Sequence, residues 1–271
     1  MTMSALAEEL EREASAFAGR VGYAVSHLST GTTVSRCGNE FFPTASAVKL
    51  PLLTAFHAFV DEGGADWDDI AHIDEGELAA GSGILQHLDL PRDISLRDAA
   101  WLMICLSDNT ATNILLRALT VDGANRVIDR VIGDGIRVDK LAGYESGAPV
   151  RSMGRATPEA LGRYLGDLAE DRLPGAAVTR AVAAEQIYRG TIPRYLPWNP
   201  YAPDRLRIAN KTGSLPGICT DVAVLTAGGD TVTMAFMTEA HEAGDGVTDE
   251  GQECIARMAR LVYDAWLGRA S

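Results

Sequence analysis

The chain has 271 residues, and its 46% hydrophobic and 23% charged composition supplies enough apolar surface for a core, which excludes disorder as its main state. With 24 Lys and Arg against 37 Asp and Glu, the formal net charge is −13. Such a field repels phosphate and excludes general binding of nucleic acid or an anionic membrane surface; an anionic small substrate would need cations local to its site.

The opening MTMSALAEELEREASAFAG is interrupted by Glu8, Glu9, Glu11 and Glu13 and lacks a basic start before a continuous apolar run, so it does not read as a signal peptide. Leu6, Leu10, Ala14 and Phe17 fall at helical spacing and predict an amphipathic helix. No segment approaches the roughly 18–20 apolar residues that span a bilayer, and the protein as written is expected in the cytoplasm. Alternation at Val21, Tyr23 and Val25, a turn at Ser29-Thr30-Gly31 and a return from Thr32 predict a hairpin.

Residues 41–60 are long and apolar enough for a buried helix, and the acidic stretch 61–77 reads as an exposed loop. Ser95 is the N-cap of a helix over 95–120; further helices are predicted over 123–133 and over 157–171, the latter opened by Thr157-Pro158. The glycine-bearing stretch 134–156 between them has the length of a functional loop. Three successive strands are predicted at 205–213, 219–225 and 231–237, then a helix from about Thr248 to Leu267.

Strands at both ends around a helical block predict an α+β fold within one domain, residues 1–271. An antiparallel sheet with the terminal helices on one face would form an α/β lobe from 1–42 and 190–271. An all-helical lobe, 43–189, would be inserted, with the site in the seam. Trp198 and Tyr201 could line the cleft or cover the core, and cover is the favoured reading.

Cys37, Cys105, Cys219 and Cys254 are scattered and read as buried free thiols. His27, His57, His72, His87 and His241 form no ligand cluster, so neither a metal nor another cofactor is expected.

Three short motifs carry chemistry. In Ser46-Ala47-Val48-Lys49, an i, i+3 pair on one helix face brings a hydroxyl to an amine. Serine needs a base to become a nucleophile, and lysine serves as one only when burial or a nearby cation lowers its pKa. The polar trio Ser107-Asp108-Asn109 follows the apolar run WLMICL and so sits at a core edge. There Ser107 would relay a proton, Asn109 would hold a substrate amide or Lys49, and Asp108 would be structural. In Lys211-Thr212-Gly213-Ser214, at a strand end, Lys211 supplies a cation that attracts a carboxylate and depresses Lys49. Gly213 would admit substrate backbone, and the N–H groups of Ser214 and Ser46 would form an oxyanion hole.

The three motifs in this order resemble the S-x-x-K, SDN and KTG set of class A β-lactamases and penicillin-binding proteins. GSGIL (81–85), SDNTATNILL (107–116), the Thr157-Pro158 helix start and KTGSLPG (211–217) share the resemblance, which covers nearly the whole chain. It implies the two-lobed penicillin-recognising fold, Ser46 as the acylated nucleophile, Lys49 as its proton partner and Ser107 as the relay to the leaving nitrogen. Lys211, Thr212 and Ser214 would then hold a substrate carboxylate.

The pattern departs from that family on the omega loop, where an E-x-x-x-N arrangement positions the deacylating water. Alignment puts Ala142 at the glutamate position, with Glu145 three residues on as the candidate deacylating group and no asparagine after it. The leading expectation is a serine acyl-enzyme hydrolase that cleaves a lactam, amide or ester of a small, carboxylate-bearing molecule. Beside it stand a cytoplasmic acyltransferase or esterase of natural-product metabolism and a non-catalytic protein that binds a lactam or peptide.

Overall fold

The computed structural model describes residues 3–144, 150–202, 204–242 and 249–268. Helix α1 (Met3–Ala16) buries Leu6, Leu10 and Ala14, as its spacing requires. Strands β1 (Gly19–His27) and β2 (Thr32–Arg36) form the predicted hairpin. The short β3 (Phe42–Pro43) leads into a 3₁₀ turn at Ala45–Val48 and then α2 (Lys49–Asp61). The helix expected over 41–60 therefore starts late; Pro51 fits because it falls in the first turn, where no intrahelical N–H is needed.

The stretch read as a loop over 61–77 contains β4 (Ile70–Ile73), which pairs with β5 (Arg92–Ser95). Ser95 caps the next helix as predicted, its side chain accepting from Asp98 N–H at 3.0 Å. The helix is two helices, α3 (Leu96–Cys105) and α4 (Asn109–Leu119), broken at Ser107. Then come α5 (Val121–Val131), β6 (Ile136–Val138), β7 (Gly154–Ala156), α6 (Pro158–Ala169) and α7 (Ala176–Ala184). β6 and β7 pair with each other and with β3, so the helical region also carries short strand pairings in addition to its helices.

The last elements are β8 (Arg207–Leu215), β9 (Ile218–Ala227), β10 (Asp230–Ala240) and α8 (Asp249–Trp266). They complete a five-stranded antiparallel sheet in the order β2-β1-β10-β9-β8. Strand alternation splits its side chains between two cores. Val232, Met234 and Phe236 of β10 pack with Leu6, Leu10, Ile255, Met258 and Val262 of the terminal helices. Ala235 and Met237 face the other way, into the larger core with Leu161 and Leu165 of α6 and the helices beyond. Burying each large apolar side chain contributes about 1.5–3 kcal/mol, which fixes both faces of the sheet.

β8 is left at the sheet edge, against the 3₁₀ turn of residues 45–48. No helix among the described residues is long and apolar enough to cross a membrane. The four cysteines are free; Cys219 and Cys254 are buried, but Cys37 and Cys105 are only half-buried. Trp198 packs on the core under the terminal helices, whereas Tyr201 is 94% exposed and covers nothing.

Candidate active site

The turn that carries Ser46 is held from three sides. Thr44 N–H donates to Gly154 O at 3.0 Å, and Ala47 N–H to Thr44 O at 3.0 Å. Ala45 has φ +45, a left-handed conformation that costs a non-glycine residue about 1–3 kcal/mol and needs a partner to hold it. Its N–H donates to Ser152 Oγ at 2.9 Å. Gly213 of β8 provides the third support. A Cβ built there would lie 2.3 Å from Thr44 O and 2.6 Å from both Ser46 N and Ala47 N. The close approach that Gly213 permits is therefore to the serine turn itself. Ser46 is half-buried and faces a cleft of ≈ 350 Å³.

The second motif sits at the break between α3 and α4. Ser107 has φ +53, which ends the helical path. Asp108 restarts it: Oδ1 accepts from Ala111 N–H at 2.9 Å, capping α4, while Oδ2 accepts from Ile84 and Leu85 N–H at 2.7 and 2.9 Å. One carboxylate thus fixes the motif to the 81–85 loop that forms part of the cleft wall. Asn109 donates through Nδ2 to Ala80 O at 2.8 Å and accepts at Oδ1 from Lys49 Nζ at 2.8 Å.

Lys49 and Lys211 are both fully buried and converge on Ser107. Lys49 Nζ donates to Ser107 O at 2.7 Å and Ser107 Oγ at 3.3 Å; Lys211 Nζ donates to Ser107 Oγ at 3.1 Å. The expected contact from Lys49 to Ser46 is not among the hydrogen bonds of the described residues. Its amine meets Ser107 O, Ser107 Oγ and Asn109 Oδ1 instead. Burial, then the Lys211 charge, push the Lys49 pKa well below the usual lysine value, while Asp108 acts the other way. Burial also lowers Lys211 to about 7, opposed by Asp221 and Cys105. A buried lysine whose pKa is lowered and an adjacent hydroxyl are groups that can exchange a proton.

Two residues without a sequence motif complete this region. Gln186, 1% exposed, places its side-chain oxygen against Lys211 and Thr212. Asp221 of β9 is fully buried; Asn210 Nδ2 and Ile192 N–H donate to it at 3.1 and 3.0 Å, and the Thr191 hydroxyl donates as well. Burial pushes the Asp221 carboxyl up to about 6 against those bonds. An aspartate inside the apolar strand CTDVAVL was the available signal for it; Gln186 had none.

The cleft is also lined by Ala142, Gly143, Tyr144, Val150, Arg151 and Met153. Ala142 is anchored to α4: its N–H donates to Asn113 Oδ1 at 2.8 Å, and Asn113 Nδ2 donates to its carbonyl at 3.0 Å. Among the described lining residues there is no carboxylate, and Arg151 carries the charge. Glu145 lies outside the described residues. Ser46, Asn109 and Ser214 line the cleft, whereas Lys49, Ser107, Lys211 and Thr212 stand buried behind it.

Comparison with known proteins places the fold. A family model described as "Beta-lactamase enzyme family" matches residues 5–266. A beta-lactamase of Streptomyces lavendulae is 26% identical over 273 residues, covering 94% of this chain and 84% of the relative. A second, from Streptomyces cellulosae, is 29% identical over 157 residues, or 57% of this chain and 50% of the relative. Among solved structures, a beta-lactamase from Sphaerobacter thermophilus matches with a TM-score of 0.85 at 28% identity and 98% coverage of both chains. An acyl-enzyme complex of a PBP-A mutant with penicillin G shares the fold, with a TM-score of 0.83 at 21% identity over 97% of this chain and 96% of that one.

Proposed function

This chain belongs to the beta-lactamase enzyme family and is a β-lactamase-like serine hydrolase; from that premise we propose which residues perform the acyl-enzyme chemistry and on what kind of substrate. The substrate is a lactam, amide or ester with a nearby carboxylate. Neutral Lys49 takes the Ser46 hydroxyl proton as Oγ attacks the acyl carbon. The N–H groups of Ser46 and Ser214 receive the oxyanion. As the tetrahedral intermediate collapses, the carbon–nitrogen bond breaks and Ser107 passes a proton to the leaving nitrogen, which leaves acyl-Ser46. Lys211 attracts the substrate carboxylate by its charge from behind Ser107 and Thr212, with Thr212 and Ser214 as polar partners. Asn109 holds Lys49.

The observation that carries the proposal is the convergence of two buried lysine amines on Ser107 Oγ, 3.3 and 3.1 Å away, beside a cleft that Ser46 lines. Arg151 among the lining residues favours an anionic substrate. Transfer of the acyl group to an amine or alcohol is a second fate for acyl-Ser46. It is favoured by Ala142 standing on the wall where the family pattern calls for a glutamate.

The test is intact-mass analysis after incubation with a penicillin and a chromogenic cephalosporin. A covalent adduct on the wild type, absent from Ser46→Ala, is expected. Equal behaviour of both proteins, with no adduct and no turnover, refutes the acyl-enzyme assignment. Tight reversible binding that survives Ser46→Ala would establish a binder instead. Adding an amine or alcohol then separates hydrolysis from transfer by the mass of the released product.

A further inference from the structure

We propose that Gln186 is a positioning residue: a neutral clamp that aims the Lys211 ammonium at Ser107, holds the Thr212 hydroxyl, and adds no countercharge of its own where a substrate anion is to bind. The proposal deepens the acyl-enzyme reading and rests on Lys211 as the cation of that site.

The geometry is specific. Gln186 Oε1 accepts from Lys211 Nζ at 3.1 Å, from Thr212 N–H at 3.1 Å and from Thr212 Oγ1 at 3.2 Å. Three donors converging on one amide oxygen saturate its lone pairs. β8 is an edge strand, so the Thr212 N–H has no strand partner there, and Gln186 supplies the acceptor that a neighbouring strand would have supplied. The Thr212 hydroxyl has one hydrogen and gives it to Gln186 here, so that hydrogen must turn toward the cleft before Thr212 can donate to a substrate carboxylate.

Gln186 is itself held to the segment that leads into Ser107. Ile187 N–H donates to Cys105 O at 3.1 Å, and Tyr188 Oη donates to Leu106 O at 3.4 Å. The same short segment therefore sets the position of Gln186 and the approach to Ser107. Lys211 completes its three donors with Ser107 Oγ at 3.1 Å and Thr212 O at 2.8 Å. All three acceptors are neutral, so orientation is gained without neutralising the charge. A carboxylate at position 186 would make the same hydrogen bonds and cancel the charge.

The charged and titratable groups around Lys211 are Lys49 on α2, Cys105 at the end of α3 and Asp221 on β9. Asp108 acts on Lys49, and Glu185 and Arg189 act on Cys105. Direct hydrogen bonds to Lys211 come only from neutral oxygens among the described residues.

The chain has three lysines, Lys49, Lys140 and Lys211, so ε-carbon-labelled lysine gives three resonances, with Lys140 outside the buried cluster as reference. In Gln186→Glu the Lys211 titration midpoint is expected to rise by about one to three pH units, as beside any carboxylate. In Gln186→Met, which keeps the length but loses the acceptor, it is expected to fall. In Gln186→Glu the KM for a cephalosporin carboxylate is expected to rise about tenfold, with kcat and the KM of its methyl ester within about threefold of wild type.

A Lys211 midpoint that stays put in both variants overturns the clamp, whether or not Ser46 acylates. A shifted midpoint with an unchanged KM overturns the charge-conserving role. Shifted midpoints with no adduct on wild-type Ser46 support the clamp and overturn the acyl-enzyme reading instead.

Discussion

Lys49 and Lys211 share one hydroxyl: their Nζ atoms donate to Ser107 Oγ from 3.3 and 3.1 Å. Two ammonium ions this close in a buried site repel, so one must give up its proton first. Burial and then the Lys211 charge push the Lys49 pKa well below the usual lysine value, and burial lowers Lys211 to about 7. The repulsion favours one neutral amine beside one ammonium in the pair.

The pH dependence of kcat/KM follows from the proposed roles, Lys49 as base and Lys211 as cation. Activity should fall on the acid side as Lys49 takes up a proton, and on the alkaline side above about 7 as Lys211 loses its own. Lys211→Met removes the neighbouring positive charge, so the Lys49 pKa rises and the acid limb moves to higher pH. Burial, the larger cause, still holds Lys49 below the usual lysine value. The two limbs are properties of the coupled pair. An acid limb at the same pH in Lys211→Met would show that Lys49 is not the titrating base.

Deacylation can be tested at Ala142, which lines the cleft with its backbone held at both ends by Asn113. A glutamate there would reach toward the acyl carbon from an anchored main chain. Ala142→Glu is expected to shorten the life of acyl-Ser46 by about a hundredfold, the low end for a positioned general base, while Ala142→Gln does not. Stopped-flow loss of the adduct, followed by mass, measures both. Equal lifetimes in the two variants would mean that position 142 does not face the water that attacks.

The motif residues were legible because each carries its chemistry within four positions, and β9 and β10 were legible because their apolar runs and glycine turns are local. The rest depended on partners far along the chain. The single helix expected over 95–120 breaks because Asp108 bonds Ile84 and Leu85, more than 20 residues upstream, and Ser107 takes φ +53 to allow it. β6 and β7 have three residues each, too few for a period to show. Gln186 matters only because an edge strand and a buried ammonium both lack acceptors at one point, a fact that no residue near it in sequence reports.

Asp108 tests how far the site depends on its structural carboxylate. Its two oxygens accept from three backbone N–H groups, one at the start of α4 and two in the 81–85 loop. Asp108→Ala leaves these donors unsatisfied in a buried place and should destabilise the fold by about 2–4 kcal/mol in urea unfolding. Asp108→Asn retains an acceptor for part of the set and should lose less than half of that. Equal losses in the two variants would point to charge, not hydrogen-bond acceptance, as the reason for the residue.

Gly213 gives the sharpest separation of activity from stability. A methyl group there meets Thr44 O at 2.3 Å and Ser46 N at 2.6 Å, all backbone, so β8 or the serine turn has to move. The overpacking is expected to cost about 1–3 kcal/mol, which a domain of this size survives, yet the displacement falls on the nucleophile and its oxyanion donors. Gly213→Ala should fold, with acylation reduced by at least about a hundredfold, since one lost oxyanion donor alone costs that much. Gly166→Ala on α6 is the matched control, because a Cβ there meets nothing within 4 Å. It should gain about 0.5–1 kcal/mol from helix propensity and acylate as the wild type does. Acylation at the wild-type rate in Gly213→Ala would show that the close contact between β8 and the Ser46 turn is not what sets the reacting geometry.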